Sequence, residues 1–80
     1  MKRPRDISAR ELIRRLKPFG YEVTRQSGSH IRLTTQVRGE HHITIPAHRD
    51  LTVGKINDVL WAMVQHFGLP RDEVLRQLFD

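Results

Sequence analysis

The residue with the clearest capacity for chemistry is His30, which follows a short turn of small polar residues, Ser27-Gly28-Ser29. An imidazole suits general acid–base catalysis, because the unperturbed pKa of a histidine side chain, about 6.5, lies close to neutral pH. A glycine in the turn lets the backbone approach a phosphate closely, and the turn amides can donate hydrogen bonds to phosphate oxygens. This combination suits metal-free cleavage of a ribose phosphodiester, in which a base removes the 2′-hydroxyl proton and that oxygen attacks phosphorus. The same residues also fit an ordinary exposed strand histidine beside a turn.

Two further polar side chains are candidates for the same site. Lys55 falls in the first turn of a predicted helix, where its ammonium group and the helix N-terminus can bind a phosphate together. A solvated lysine is the alternative. His48 lies between a predicted strand and that helix, and we expect it to support the loop by hydrogen bonding rather than to contact RNA.

The positive charge of the chain is concentrated at one end. Lys and Arg number 14 against 9 Asp and Glu, which gives a formal net charge of +5. The whole excess lies in residues 1–17, on an N-terminal arm and a predicted first helix. A basic stripe of this kind is typical of proteins that bind polyanions, and a solvated basic helix face is the alternative. We therefore expect Arg10 and Arg14 to contact nucleic acid.

The length and composition limit the class of protein. Eighty residues predict a single domain, with a core from about residue 6 to 68 and a C-terminal helix from about 70 to 79. The chain has no cysteine, which excludes a disulfide framework and a cysteine nucleophile. No apolar run approaches the roughly 18 residues of a membrane span, and the N-terminus has no signal-peptide pattern. We expect a cytoplasmic protein that has no membrane attachment and no small-molecule cofactor.

A metal site is not expected, although the chain has five histidines. His41 and His42 are adjacent in a predicted strand, so their side chains face opposite sides of the sheet and cannot share one ion. The other histidines show no local spacing typical of a ligand set.

Three helices are predicted around these residues. Ser8-Ala9-Arg10-Glu11 is a capping box that begins the first helix, and Gly20 follows its end. A second helix is predicted from about Val53 to Phe67, with Thr52 as its N-cap. Pro70 is predicted to open a short third helix.

Three strands are predicted between the first and second helices. Alternating residues indicate strands from Tyr21 to Gln26, from His30 to Gln36 and from His41 to Pro46, joined by short turns as an antiparallel meander. Neighbouring strand residues point to opposite faces. The side packed against helices is therefore predicted to hold Tyr21, Val23, Ile31, Leu33, Ile43 and Ile45. The uncovered side is predicted to hold His30, Arg32, Thr34, His42 and Thr44. Two helices on one face of such a sheet form an α+β two-layer sandwich.

The C-terminal region supplies apolar side chains whose role has two interpretations. Trp61 is expected to belong to the core or its margin rather than to a platform for stacked bases. The apolar face of the third helix, with Leu75, Leu78 and Phe79, is expected to cap the small core. A docking surface for a partner protein is the alternative.

Three segments of the chain resemble HicA-type mRNA interferase toxins. The stretch from Gly20 to His30, GYEVTRQSGSH, is similar to the family's signature, in which a glycine and an aromatic residue open one strand and Gly-Ser-His opens the next. Ile43 to His48 resembles the family's strand ending in Pro-x-His, and Leu51 to Ile56 resembles the start of its second helix. The resemblance extends from about Asp6 to Gly68 with the segments in the family's order.

The resemblance implies a double-stranded-RNA-binding-like fold, with the extra C-terminal helix added, and a metal-independent endoribonuclease whose catalytic residue is His30. It also implies a cognate HicB-type antitoxin that masks the active surface. RNA is then expected to contact Arg10 and Arg14, the turn formed by Ser27, Gly28 and Ser29, and Lys55. The alternative from another functional class is a double-stranded RNA-binding module without catalysis.

Overall fold

The computed structural model describes residues 7–79. The elements in that range are α1 (Ala9–Leu16), β1 (Glu22–Ser27), β2 (His30–Thr35), β3 (His41–Pro46), α2 (Val53–Phe67) and α3 (Arg71–Phe79). This order confirms the predicted α+β class and the α-β-β-β-α arrangement with an additional helix. The basic side chains of Lys2, Arg3 and Arg5 in the predicted N-terminal arm lie outside the described residues. Of the helices within residues 7–79, none has both the length and the apolar composition of a membrane span.

Helix α1 begins at the predicted cap. The Ser8 hydroxyl accepts a hydrogen bond from the Glu11 amide at 3.1 Å, which satisfies one of the free amides of the first turn. The helix buries Ala9, Leu12 and Leu16, and one turn of 3₁₀ helix (Lys17–Phe19) follows it. Gly20 then reverses the chain with a φ of 88°. The first helix therefore lies with its apolar stripe on the core, and the 3₁₀ turn and Gly20 connect it to β1.

The three strands form an antiparallel sheet in the order β1-β2-β3, and the helices cover one of its faces. Ile31, Leu33, Ile43 and Ile45 are buried as predicted, and so is Tyr21, just before β1. The prediction for Val23 is wrong, because half of its side chain is exposed. Val23 pairs with the buried Leu33, but β1 is an edge strand in which every residue is exposed.

Strand β1 contains an irregularity that changes which residues share a face. The register shifts between Val23 and Arg25, so that Arg25 pairs with Arg32 and Ser27 pairs with His30. An extra residue of this kind, a β-bulge, reverses the alternation for the rest of the strand. Since directly paired residues point to the same side, the bulge brings the Ser27 side chain to the face that holds His30.

Helices α2 and α3 complete the covered layer. Thr52 caps α2 by accepting from the Lys55 amide at 3.1 Å, and Gly68 ends it in the left-handed conformation. Helix α3 begins at Arg71, one residue later than predicted, and Pro70 precedes it as the residue whose carbonyl accepts the first helical bonds. These two helices add the following buried residues to the core formed with α1 and the sheet: Ile56, Val59, Leu60, Met63, Phe67, Val74, Leu78 and Phe79. The third helix therefore caps the core, as expected.

Two side chains on the helices make contacts that the sequence did not predict. Trp61 is 52% exposed, and the Arg71 guanidinium lies over its ring at 5.9 Å from the centroid. Arg15 belongs to the predicted basic stripe, but its guanidinium group binds other residues of the domain. It pairs with Glu11 at 2.9 Å and donates a hydrogen bond to the Leu78 carbonyl at 2.6 Å. Arg15 therefore joins α1 to α3.

A polar cluster occupies the end of the sheet where β2 finishes and β3 begins. The Tyr21 hydroxyl and His41 Nδ1 are 2.8 Å apart, and the His41 ring stacks on His66 with centroids 4.3 Å apart. Burial raises the pKa of Tyr21 above its usual range. Burial, followed by the neighbouring His66 and His42 rings, lowers the pKa of His41. His42 points away from this cluster and bonds Thr34 and Glu40, so the two adjacent histidines face opposite sides as predicted.

Candidate active site

His30 is the first residue of β2 and lies at the end of the sheet opposite the histidine cluster. It pairs with Ser27 on one side and Pro46 on the other, and it is exposed. The helices cover the face that holds Ile31, whereas His30 points to the other face. No hydrogen bond to its ring is found within residues 7–79. The imidazole is therefore available to a ligand in solution.

A cleft of about 340 Å³ forms where β2 begins, β3 ends and α2 starts. It is lined by His30, Thr44, Pro46, His48, Thr52 and Lys55. Three of the residues singled out from the sequence, His30, His48 and Lys55, thus share one concave surface although they lie far apart in the chain. A pocket with a few convergent polar groups is the usual form of a small binding or catalytic site.

His48 is fixed in this cleft by its main chain. Its carbonyl accepts a hydrogen bond from the Ala9 amide at 3.0 Å, and the Leu51 amide donates to the Ile7 carbonyl at 2.9 Å. The loop expected to be held by the His48 side chain is instead held by these backbone bonds. The imidazole is exposed and, as far as the described part of the chain extends, makes no hydrogen bond of its own.

One backbone hydrogen bond connects the segments that carry the two histidines. The Ala47 amide donates to the Ser29 carbonyl at 2.6 Å, which extends the β2–β3 pairing one step beyond the His30–Pro46 pair. The bonded residues immediately precede His48 and His30. The two imidazoles therefore enter the cleft from adjoining backbone segments that are bonded to each other.

Lys55 also lines the cleft. It lies in the first turn of α2, where the Thr52 hydroxyl caps its amide. The N-terminus of a helix carries a partial positive charge, and the Lys55 ammonium group adds a full one. The part of the cleft next to the start of α2 is therefore suited to an anion such as a phosphate.

The turn predicted to bind RNA is a two-residue hairpin connection, Gly28-Ser29, between β1 and β2. Gly28 has a φ of 58°, and Ser29 does not share this positive value, which is the pattern of a type II′ turn. A Cβ at Gly28 would meet no atom of the described residues within 4 Å, so its conformation rather than its packing requires glycine. Ser27, Gly28 and Ser29 are all exposed next to His30 but lie outside the lining of the cleft.

The two arginines of α1 occupy different positions relative to the cleft. Arg10 lines a groove of about 430 Å³ together with Ala47, His48 and Arg49, so this groove adjoins the cleft at His48. Arg14 lies one turn further along α1 and lines another groove, of about 440 Å³, with Arg10 and Lys17. Arg10 is therefore contiguous with the cleft, and Arg14 continues the basic surface away from it.

Three residues of this surface were not selected from the sequence. Thr44 and Thr52 line the cleft, and Arg49 lines the adjoining groove. Strand alternation already put Thr44 on the face of His30, and Thr52 was recognised only as a helix cap. Arg49 has no signal beyond its place next to His48, because its position depends on how the loop folds.

The chemistry available to the cleft is proton transfer next to a bound anion. It holds two imidazoles, one ammonium group and the N-terminus of a helix, and imidazole can both accept and donate a proton near neutral pH. Within residues 7–79, no three His, Asp or Glu side chains come together in a way that could hold a metal ion.

Comparison with known proteins gives one match. Residues 9–63 match the model of the family described as HicA toxin of bacterial toxin-antitoxin. The matched range includes α1, the whole sheet, the cleft and most of α2. Neither the curated proteins nor the solved structures give a match.

Proposed function

The chain belongs to the family of HicA toxins of bacterial toxin–antitoxin systems, and from this premise we propose that it is a metal-independent endoribonuclease that cleaves mRNA with His30 as the general base. The observation that carries the proposal is the exposed His30 imidazole, which shares a cleft with the Lys55 ammonium group and the N-terminus of α2. A proton acceptor next to an anion site can start RNA cleavage by transesterification and stabilise the charge that develops at phosphorus.

In the proposed reaction the scissile phosphate lies between β2 and α2. His30 accepts the proton of the ribose 2′-hydroxyl, and the 2′ oxygen then forms a bond to phosphorus. Lys55 and the first amides of α2 stabilise the negative charge that develops on the phosphorane oxygens. The bond from phosphorus to the 5′ oxygen breaks and that oxygen takes up a proton, which leaves a 2′,3′-cyclic phosphate and a 5′-hydroxyl end.

The RNA flanking that phosphate would run along the surfaces next to the cleft. On one side the groove lined by Arg10, His48 and Arg49 leads to Arg14 on α1. On the other side lies the exposed turn of Ser27, Gly28 and Ser29. The guanidinium groups supply positive charge, and the turn amides supply hydrogen-bond donors for the backbone.

Membership of a toxin–antitoxin family also supports a protein partner. We propose that a HicB-type antitoxin is bound by this chain and covers the cleft and its basic surroundings. Such a partner would prevent cleavage by occluding His30, so the complex should be inactive until the antitoxin is removed.

The proposed function is tested by incubating the purified chain with RNA in the presence of EDTA. We expect cleavage to continue at the rate measured without the chelator, because imidazole and ammonium groups supply the catalysis. The new ends should be a cyclic phosphate and a 5′-hydroxyl, identified by mass spectrometry. Intact RNA, with or without EDTA, would contradict the proposal.

A second measurement addresses the anion site. Replacing Lys55 with alanine is expected to weaken RNA binding and to reduce the slope of log affinity against log salt by about 0.7 for single-stranded RNA, the value for loss of one phosphate contact. The matched control is Arg38→Ala, which removes the same charge from the exposed turn at the other end of the sheet. An equal change in slope for both variants would mean that Lys55 acts only through net charge.

A further inference from the structure

Cleavage by the proposed route requires a second proton transfer that His30 does not perform. When the bond from phosphorus to the 5′ oxygen breaks, that oxygen leaves as an alkoxide unless it is protonated. A general acid placed next to the leaving 5′ oxygen raises the cleavage rate by roughly 10²- to 10⁴-fold. The donor must stand in the same cleft as His30 and have a proton to give near neutral pH.

The cleft contains few groups that meet these conditions. Thr44 and Thr52 have hydroxyls that are too weakly acidic for this role, and the Thr52 oxygen already caps α2. Lys55 lies in the helix turn assigned to the phosphate oxygens. The one remaining side chain of the lining with an ionisable proton is the imidazole of His48.

The position of His48 fits a proton donor better than a structural residue. Its backbone carbonyl and the bond between Leu51 and Ile7 hold the loop, so the ring is not needed for that purpose. The bond between Ala47 and Ser29 fixes the His48 segment against the His30 segment at a distance set by strand pairing. Two imidazoles that line one cleft from backbone segments bonded to each other are an arrangement suited to paired acid–base catalysis.

We infer that His48 is the general acid of this cleft: its imidazolium donates a proton to the leaving 5′ oxygen while His30 accepts the proton of the 2′-hydroxyl. This inference rests on the proposed function. The bond from the 2′ oxygen to phosphorus forms, and the bond from phosphorus to the 5′ oxygen breaks. His30 gains one proton and His48 loses one. Transfer of protons with solvent then restores both rings for the next turnover.

The test uses RNA in which sulfur replaces the 5′ bridging oxygen at a cleavage site mapped with the unmodified chain. A thiolate leaves without being protonated, because a thiol has a pKa of about 8.5 and is far more acidic than an alcohol. We expect His48→Ala to slow cleavage of normal RNA by about 10²- to 10⁴-fold. On the sulfur substrate, the same variant should cleave at a rate much closer to that of the unmodified chain. His30→Ala should be equally impaired on both substrates.

Arg49→Ala is the matched control, because it alters the next residue of the same loop without removing a proton donor. Its effect should be modest and the same on both substrates. A His48→Ala deficit of equal size on the two substrates would overturn the inference, as would normal cleavage by that variant. If the unmodified chain cuts neither substrate, the proposed function itself fails. The urea midpoint of each variant checks that the loop, held by main-chain bonds, remains folded.

Discussion

Replacement of His30 by alanine is expected to reduce RNA cleavage by about 10²- to 10⁴-fold and to leave RNA affinity close to that of the unmodified chain. The side chain is exposed and has no hydrogen-bond partner within residues 7–79, so its removal breaks no hydrogen bond of the fold. The anion-binding groups of the cleft and the basic surface of α1 remain in place. Initial rates on a defined RNA and a binding isotherm measured in parallel separate the two effects.

His42→Ala provides the control for this prediction. His42 is also an exposed histidine on the uncovered face of the sheet, but it bonds Thr34 and Glu40 and lies outside the cleft. Its loss should leave the cleavage rate unchanged. Cleavage by His30→Ala at the normal rate would show that the base has been assigned to the wrong residue.

The same variant separates the two functional classes that the sequence left open. A double-stranded RNA-binding module and a nuclease both bind RNA more weakly as salt rises. In cells, induction of the unmodified chain without its antitoxin should arrest growth, and induction of His30→Ala should not. Equal growth of both strains, together with RNA binding by the purified protein, would favour the module without catalysis.

Replacement of Gly20 by alanine is expected to destabilise the domain by about 2–5 kcal/mol. About 1–2 kcal/mol of this comes from forcing an L-residue into the left-handed region, where Gly20 has a φ of 88°. The rest is overpacking, because a Cβ would lie 2.6 Å from the Thr35 hydroxyl oxygen and 2.7 Å from a Val37 methyl carbon. Thr35 cannot easily move, since its buried hydroxyl donates to the Phe19 carbonyl and accepts from the Val37 amide.

Gly68→Ala is the control for the steric part of this effect. Gly68 ends α2 with a φ of 67°, and a Cβ there would meet no atom of the described residues within 4 Å. We expect a loss of about 1–2 kcal/mol, from backbone conformation alone. Urea unfolding of both variants measures the difference. Equal destabilisation would mean that the contact with Thr35 and Val37 relaxes without cost.

The sequence predicted those parts of the fold that depend on interactions between residues close together in the chain. Helix caps at Ser8 and Thr52 and the alternation of β2 and β3 follow from short-range hydrogen bonding and from the pleat, which a single segment specifies. Val23 was misplaced because alternation identifies a face and not whether a helix covers it. The bulge in β1 was also not predicted, since one extra residue leaves no clear mark in the sequence.

The candidate site was predicted in its residue types more completely than in its arrangement. His30 was found from its turn and Lys55 from its helix start, and each is a local signal. Their meeting with His48 depends on backbone bonds between distant segments, among them the bond from Ala47 to Ser29. Arg15 was wrongly counted in the basic surface for nucleic acid. Only the tertiary structure reveals that its guanidinium group pairs with Glu11 and donates to the Leu78 carbonyl.

The bond from the Ala9 amide to the His48 carbonyl joins the first turn of α1 to the loop that carries His48. If His48 is the proposed proton donor, a change that frays the start of this helix is expected to displace its imidazole and to lower the cleavage rate as well as the stability. Slow hydrogen–deuterium exchange at the Ala9 and Leu51 amides therefore reports that the loop is packed against the start of α1.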